Sequence, residues 1–162
     1  MGEQALIRAA RLDDDHELRA VRRTVWSPLS EPAPIPSSDD AIFDEQHPVA
    51  GFLVAQLGSM IVGYINQSRA TPLESTRHIH QIKGLGVLEA ARGSGIGQAL
   101  VDAACQCARR EQAHRMTLRL LSTNDAARSL YDRCGFTVMA VLPNWFIIDG
   151  FYVDDVWMSR DL

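Results

Sequence analysis

Apolar positions recur along this chain with two periods, and the change of period marks out its elements. Residues 4 to 9 read as a first strand. Leu18, Val21 and Val25 then fall at helical spacing, predicting a helix over about 14 to 25 with Asp13 as its cap and Arg19, Arg22 and Arg23 on its solvated face. Gly51 to Gln56 and Met60 to Asn66 read as a hairpin turning at Leu57-Gly58-Ser59. After a loop over 71 to 77, an apolar strand runs from about 79 to 87. It breaks at Arg92-Gly93-Ser94-Gly95-Ile96-Gly97 into a helix over about 95 to 111, whose one narrow polar stripe holds Gln98, Asp102, Gln106 and Arg109. Met116 to Leu121 is a further strand. A second helix follows, capped by Thr123 or Asn124, burying Ala127, Leu130, Tyr131 and Cys134 and ending at Gly135. Val138 to Leu142, a connection through Asn144 and Trp145, the turn Asp149-Gly150 and a strand over about Tyr152 to Ser159 close the chain.

One segment breaks both periods. Residues 27 to 48 hold five of the seven prolines, so long regular structure is not expected, beyond a short helix near Ser38 to Asp44. No lysine or arginine occurs from Ser27 to Ser68, and Glu31, Asp39, Asp40, Asp44 and Glu45 make the segment acidic. Taken singly these carboxylates read as solvated surface. Taken together they suit a flap that attracts a cationic amine.

Composition narrows the class. The 162 residues fit a single domain, 1–162, with a full core. No apolar run is long enough to span a bilayer, and the N-terminus lacks a signal-peptide core, so no membrane association and a cytoplasmic location are expected. Cys105, Cys107 and Cys134 read as reduced thiols, and Cys105-x-Cys107 lacks the company a zinc site needs. His78-x-His80 places two imidazoles on one strand face without a third ligand, so no metal is expected. A net charge of −4 argues against a nucleic-acid partner.

The strand–glycine–helix junction is where chemistry enters. Glycines let the backbone approach a ligand closely, free N–H groups of the first helical turn point outward, and Arg92 adds positive charge. A phosphate, and better a diphosphate, suits residues 92 to 97. Two familiar phosphate loops do not fit. Gly97 is followed by Gln98 and Ala99 rather than by lysine and a hydroxyl residue, and neither Gly84-x-Gly86 nor Gly95-x-Gly97 has the third glycine of the dinucleotide fingerprint.

The spacing R-x-x-G-x-G after the strand's last valine resembles the acyl-CoA-binding motif of the GNAT superfamily of N-acetyltransferases. Asn124 to Phe136 reads N-x-x-A-x-x-L-Y-x-x-x-G-F, similar to the second signature of that superfamily and at the right distance. The resemblance covers almost the whole chain. It implies an α/β fold with a mixed, mostly antiparallel central sheet flanked by helices and closed by a C-terminal β-hairpin. It implies acetyl-CoA as co-substrate and direct transfer to a primary amine. The acidic segment favours a small cationic or amino-acid-like acceptor. A protein N-terminus or lysine side chain is the alternative acceptor, and a non-catalytic acyl-CoA sensor is the alternative function. Homodimers are common among such proteins.

The same resemblance assigns residues. The diphosphate is expected on the N–H groups of Gly93, Ser94, Gly95, Ile96, Gly97 and Gln98. The pantetheine arm is expected beside the strand near Leu85 and Val87, with a hydrogen bond from Asn124, and phosphate contacts from Arg92, Arg128 and Arg133. Tyr131 is the expected general acid for the leaving thiolate. A phenol, with a pKa of about 10, carries its proton at neutral pH. The glutamate that many members place six residues before the valine matching Val87 is absent, since that position is Gln81. His80 comes first as a substitute base, then Asp149, Asp154 or a water chain. Trp26, Trp145 and Phe146 are candidates for lining the amine pocket, and each also suits plain core packing.

Overall fold

The computed structural model describes residues 4–162. Residues 1–3, the start of the expected domain, lie outside the described residues. In chain order the elements are β1 (Leu6–Ala9), α1 (Asp15–Val25), β2 (Phe52–Leu57), β3 (Met60–Arg69), β4 (Ile79–Val87), α2 (Ile96–Arg110), β5 (Arg115–Leu121), α3 (Asp125–Arg133), β6 (Thr137–Ile148) and β7 (Phe151–Asp161). The strands form one seven-stranded sheet in the order β1-β2-β3-β4-β5-β7-β6. Every neighbouring pair is antiparallel except β4 and β5. The expected mixed, mostly antiparallel sheet with a C-terminal hairpin is therefore present.

Alternation along the strands sends side chains to two cores. Tyr64 and Ile65 are adjacent on β3 and belong to different ones. On one face Leu100, Val101, Ala104, Cys105 and Ala108 of α2 cover Ile65, Ile82, Met116 and Leu118, and Tyr131 of α3 joins the same cluster. On the other face Leu18 and Val21 of α1 cover Phe52, Val54, Ile61 and Tyr64. All three cysteines are free; Cys105 and Cys134 are buried and Cys107 is partly so. No helix among the described residues is long and apolar enough to cross a membrane.

Two departures from the sequence reading have local causes. The short helix expected near Ser38 to Asp44 does not form. Asp40 and Asp44 spend their carboxylates on turns instead, accepting from Ser37 N at 2.8 Å and from Gln46 N at 2.8 Å, while Ile42 inserts into the α1 core. The connection expected through Asn144 and Trp145 is a bulge inside one long strand. Leu142 pairs with Asp155 and Phe146 with Val153, so three residues oppose one. Pro143 has no N–H to lose there, and Asn144 takes a φ of 54° while its N–H donates to Asp154 Oδ1 at 2.8 Å.

The sheet opens at its centre. β4 pairs with β5 only from Ile79 to Ile82, opposite Arg115 to Leu118. Beyond Ile82 no pair joins them. On the other side β4 keeps its bonds to β3, with Lys83 as the extra residue of a bulge, since Gln67 pairs with Ile82 and Asn66 with Gly84. The edge of β4 from Lys83 to Val87 therefore faces a gap rather than a strand.

Candidate active site

The glycine loop begins where β4 ends. Arg92 turns back and donates from Nε to the Val87 carbonyl at 3.0 Å, and Ser94 Oγ donates to the Ala91 carbonyl at 2.6 Å. Gly93 and Gly95 have φ of 78° and 83°, the left-handed region that glycine adopts without strain. Gly95 is the N-cap of α2 and has no side chain to cap it, which leaves the first-turn N–H groups without a capping acceptor. A Cβ at Gly93 or Gly95 would meet nothing within 4 Å, so these glycines serve the backbone path and the loop's outer side is open. Gly97 is different. A Cβ there would stand 3.1 Å from Leu130 Cδ2, so α2 and α3 meet at that point, one residue from Tyr131.

At the start of α3 the cap is Asn124, whose Oδ1 accepts from Ala127 N at 3.1 Å. That bond fixes the side chain and leaves its amide NH2 to donate. Gly135, with φ of 82°, stops the helix after Cys134.

Between these pieces lies a cavity of about 430 Å³ in the gap between β4 and β5. Leu85, Asn124 and Tyr131 line it together, so three of the expected site residues meet there. Tyr131 is 5% exposed, its ring edge-on to Phe136 with centroids 5.6 Å apart. Its hydroxyl makes no side-chain hydrogen bond among the described residues, and no buried polar atom there lacks a partner, so the hydroxyl opens onto the cavity. Burial raises the phenol well above its ordinary value and keeps the proton on oxygen.

Several cavity residues had not been expected. Tyr64 stands opposite, its phenol pushed up to about 12 by burial. Gly86 exists to admit this ring, because a Cβ there would fall 2.9 Å from Tyr64 Cε1 and 2.8 Å from Val25 Cγ2. Arg119 reaches in from β5 and donates from Nε to Asp155 Oδ2 at 3.0 Å, with Nη2 bonded to the same oxygen. Trp157 Nε1 donates to that oxygen at 3.1 Å, and Arg119 Cζ stacks on the Trp157 ring at 4.7 Å. Asp155, 2% exposed, thus has three donors on its Oδ2. Strand pairing over 36 residues brings Arg119 to Asp155, and no short-range pattern announces it. Arg22 had a signal. It lies four residues after Leu18 and three before Val25, on the buried stripe of α1, not on the solvated face expected for it. Arg19 pairs with Asp15, and Arg23 donates to the Pro36 carbonyl.

Other expected residues lie elsewhere. His80 does not line the cavity. It is 1% exposed, its Nδ1 sits 2.7 Å from Gln67 Oε1, and its Nε2 is 3.7 Å from Glu111 Oε2. The pairing of Gln67 with Ile82 and of Asn66 with Gly84 puts His80 and Ile82 on the α2 face, while Gly84 and Gly86 face Tyr64. The structure thus places His80 outside the lining of the cavity in which it was expected to act as base. Asp149 occupies the β6–β7 turn with φ of 51°, and Asp154 is spent on Asn144, so neither reaches the cavity. Of the acidic segment only Glu31 lines it; Asp39, Asp40, Asp44 and Glu45 do not. Partial loss of water holds Glu31 above the usual carboxylate value, and Arg22 pulls the other way. Trp26 and Phe146 line the cavity, whereas Trp145 is 58% exposed on β6. Val87, Arg92 to Gln98 and the exposed Arg133 lie outside its lining. Arg128 pairs with Asp132. Among the described residues no group of three or more His, Cys, Asp or Glu side chains could hold a metal.

Comparison with known proteins agrees with this fold. A mycothiol acetyltransferase of Geodermatophilus obscurus is 32% identical over 97 residues, which are 59% of this chain and 32% of that protein. The match therefore spans about a third of that relative's length. The structure of smu.2055 from Streptococcus mutans UA159 superposes with a TM-score of 0.85 at 29% identity, covering 96% of this chain and 98% of that one. A GNAT superfamily phosphinothricin acetyltransferase from Sinorhizobium meliloti, solved in complex with AcCoA, superposes at 0.81 with 18% identity over 98% of this chain and 89% of the other, a likeness of fold. The model of the acetyltransferase (GNAT) family matches residues 18–136, from α1 through α3 to Phe136. The chain belongs to the acetyltransferase (GNAT) family.

Proposed function

We propose that this protein transfers the acetyl group of acetyl-CoA to the primary amine of a small molecule by direct attack. The observation that carries the reading is Tyr131. Its protonated hydroxyl opens into a cavity at the place where the sheet parts, on the helix that Gly97 ties to the glycine loop. The chain's own groups fit acetyl-CoA. The uncapped first turn of α2 suits a diphosphate. The free edge of β4 offers backbone groups to an extended amide chain, and the Asn124 amide can donate to it. Bound there, acetyl-CoA supplies the acyl group as an activated thioester.

The amine nitrogen forms a C–N bond to the thioester carbon, and the C–S bond breaks. Tyr131 gives its phenolic proton to the departing sulfur. The nitrogen sheds its surplus proton to a base or to solvent, and Tyr131 regains one. Backbone N–H groups of β4 near Leu85 can stabilise the oxyanion between these events. The cavity of about 430 Å³ also takes the thioester end of acetyl-CoA, and the space left beside it suits a small acceptor.

The test is CoA thiol release from acetyl-CoA against a panel of amino acids, polyamines, aminoglycosides and peptides, with an amine-free control and mass detection of the acetylated product. Amine-dependent release with matching product is the expected result. Silence across the panel, in protein that binds acetyl-CoA, would overturn transfer and favour a sensing role.

A further inference from the structure

The charged groups around the cavity do not balance, and the imbalance describes the acceptor. Arg119 and Asp155 pair with one another through Asp155 Oδ2. That leaves Arg22, Lys83 and Glu31 on the lining. Among the described residues Arg22 makes neither an ion pair nor a side-chain hydrogen bond, though it is only partly exposed. An arginine in that setting presents a planar fork of donors shaped for a carboxylate. Glu31 lies near Arg22 and within its field, yet the two are not joined.

Glu31 itself is exposed, but its place along the chain is held. The segment that carries it is tied down on both sides. Thr123 Oγ1 donates to the Leu29 carbonyl at 2.9 Å, Trp26 Nε1 donates to the Ala33 carbonyl at 3.0 Å, and Arg23 donates to the Pro36 carbonyl. A polyamine would bring positive charge against Arg22 and Lys83. A molecule bearing one charge of each sign would satisfy both Arg22 and Glu31.

Resting on the acetyl-transfer reading, we infer that the acceptor is a zwitterion of amino-acid type, its carboxylate held by the Arg22 guanidinium and its amino group turned towards Glu31. The ammonium loses a proton to the Glu31 carboxylate, an N–H bond breaking as an O–H bond forms, and Glu31 passes the proton to solvent. Glu31 thereby takes the place of the strand glutamate that Gln81 replaces, from a different part of the chain.

The experiment compares L-amino acids with their carboxamides, their decarboxylated amines and spermidine as acceptors, in the wild type and in Arg22→Gln and Arg22→Lys. Free acids are expected to exceed their amides in kcat/KM by about tenfold to a hundredfold, the worth of a charged hydrogen bond. Arg22→Gln should erase that preference through the acceptor KM while the KM for acetyl-CoA holds, and Arg22→Lys should restore part of it. Amides or spermidine acetylated as well as the acids by the wild type would overturn the inference and leave acetyl transfer standing. So would a preference that survives Arg22→Gln. No acetylation of any amine would overturn both readings together.

Discussion

The ring of Tyr64 occupies the space that a side chain on Gly86 would need, with Tyr64 Cε1 2.9 Å from the position of such a Cβ. A residue on β4 is thus kept small by a residue on β3 that forms one wall of the cavity. Gly86→Ala should destabilise the protein by about 1–3 kcal/mol through overpacking. Gly84→Ala, whose Cβ meets Tyr64 at an ordinary 3.7 Å, should cost less. Denaturant unfolding of the two variants checks the ordering, and equal losses would show that Tyr64 gives way freely.

Tyr131→Phe removes the one proton the mechanism asks of this side chain and leaves the ring packed on Phe136. Turnover should fall by about a hundredfold or more, the range of a lost general acid. Acetyl-CoA affinity, measured by titration, should stay near that of the wild type. Equal losses in binding and turnover would mark Tyr131 as a packing residue only.

Gly95→Ala forces a left-handed φ on a residue with a Cβ, at a cost of about 1–2 kcal/mol. Because the space around it is open, the strain and not a clash should be felt, and it falls on the first turn of α2. The expected signature is a raised KM for acetyl-CoA with the acceptor KM little changed, read from steady-state kinetics.

His80 gives the fold a pH dependence. Burial is the main cause that lowers its imidazole below the ordinary 6.5, Glu111 opposing and Arg69 assisting. The unfolded chain therefore takes up a proton at higher pH than the folded one. Its contribution to stability is complete above about pH 6.5 and is lost as the pH falls through the lowered folded value, at no more than about 1.4 kcal/mol per pH unit. Unfolding curves at pH 7.5 and pH 5 should show this loss in the wild type and a shallower one in His80→Gln.

What the sequence made legible is what is local. The span of β4, the start of α3 at one of its two candidate caps, Asn124, and the left-handed stop at Gly135 depend on neighbours a few residues away, and each appears where its spacing put it. His80 shows the limit. Its distance along the strand from the glycine loop was readable, but its enclosure by Gln67 and Glu111 comes from another strand and from the end of α2. The Arg119–Asp155 pair and the Tyr64 wall likewise arise only from strand order and register. The β6 bulge was read as a connection through Asn144 and Trp145, and a strand can absorb such residues, with Pro143 beside them, when it carries surplus residues.

Among the described residues four ladder pairs join β4 to β5. Along the chain this short seam divides β1 to β4 from β5 to β7, so the sheet is two ribbons sewn together for less than half the length of β4. Amide exchange should therefore be faster at the N–H groups of Lys83 to Val87 that face the opening than at their neighbours that bond β3, and slowest where β5 pairs with β7. An extended ligand lying in the opening would complete the stitching. Loading the protein would then stiffen both ribbons at once, and the empty and loaded forms would differ in rigidity along that edge more than in shape.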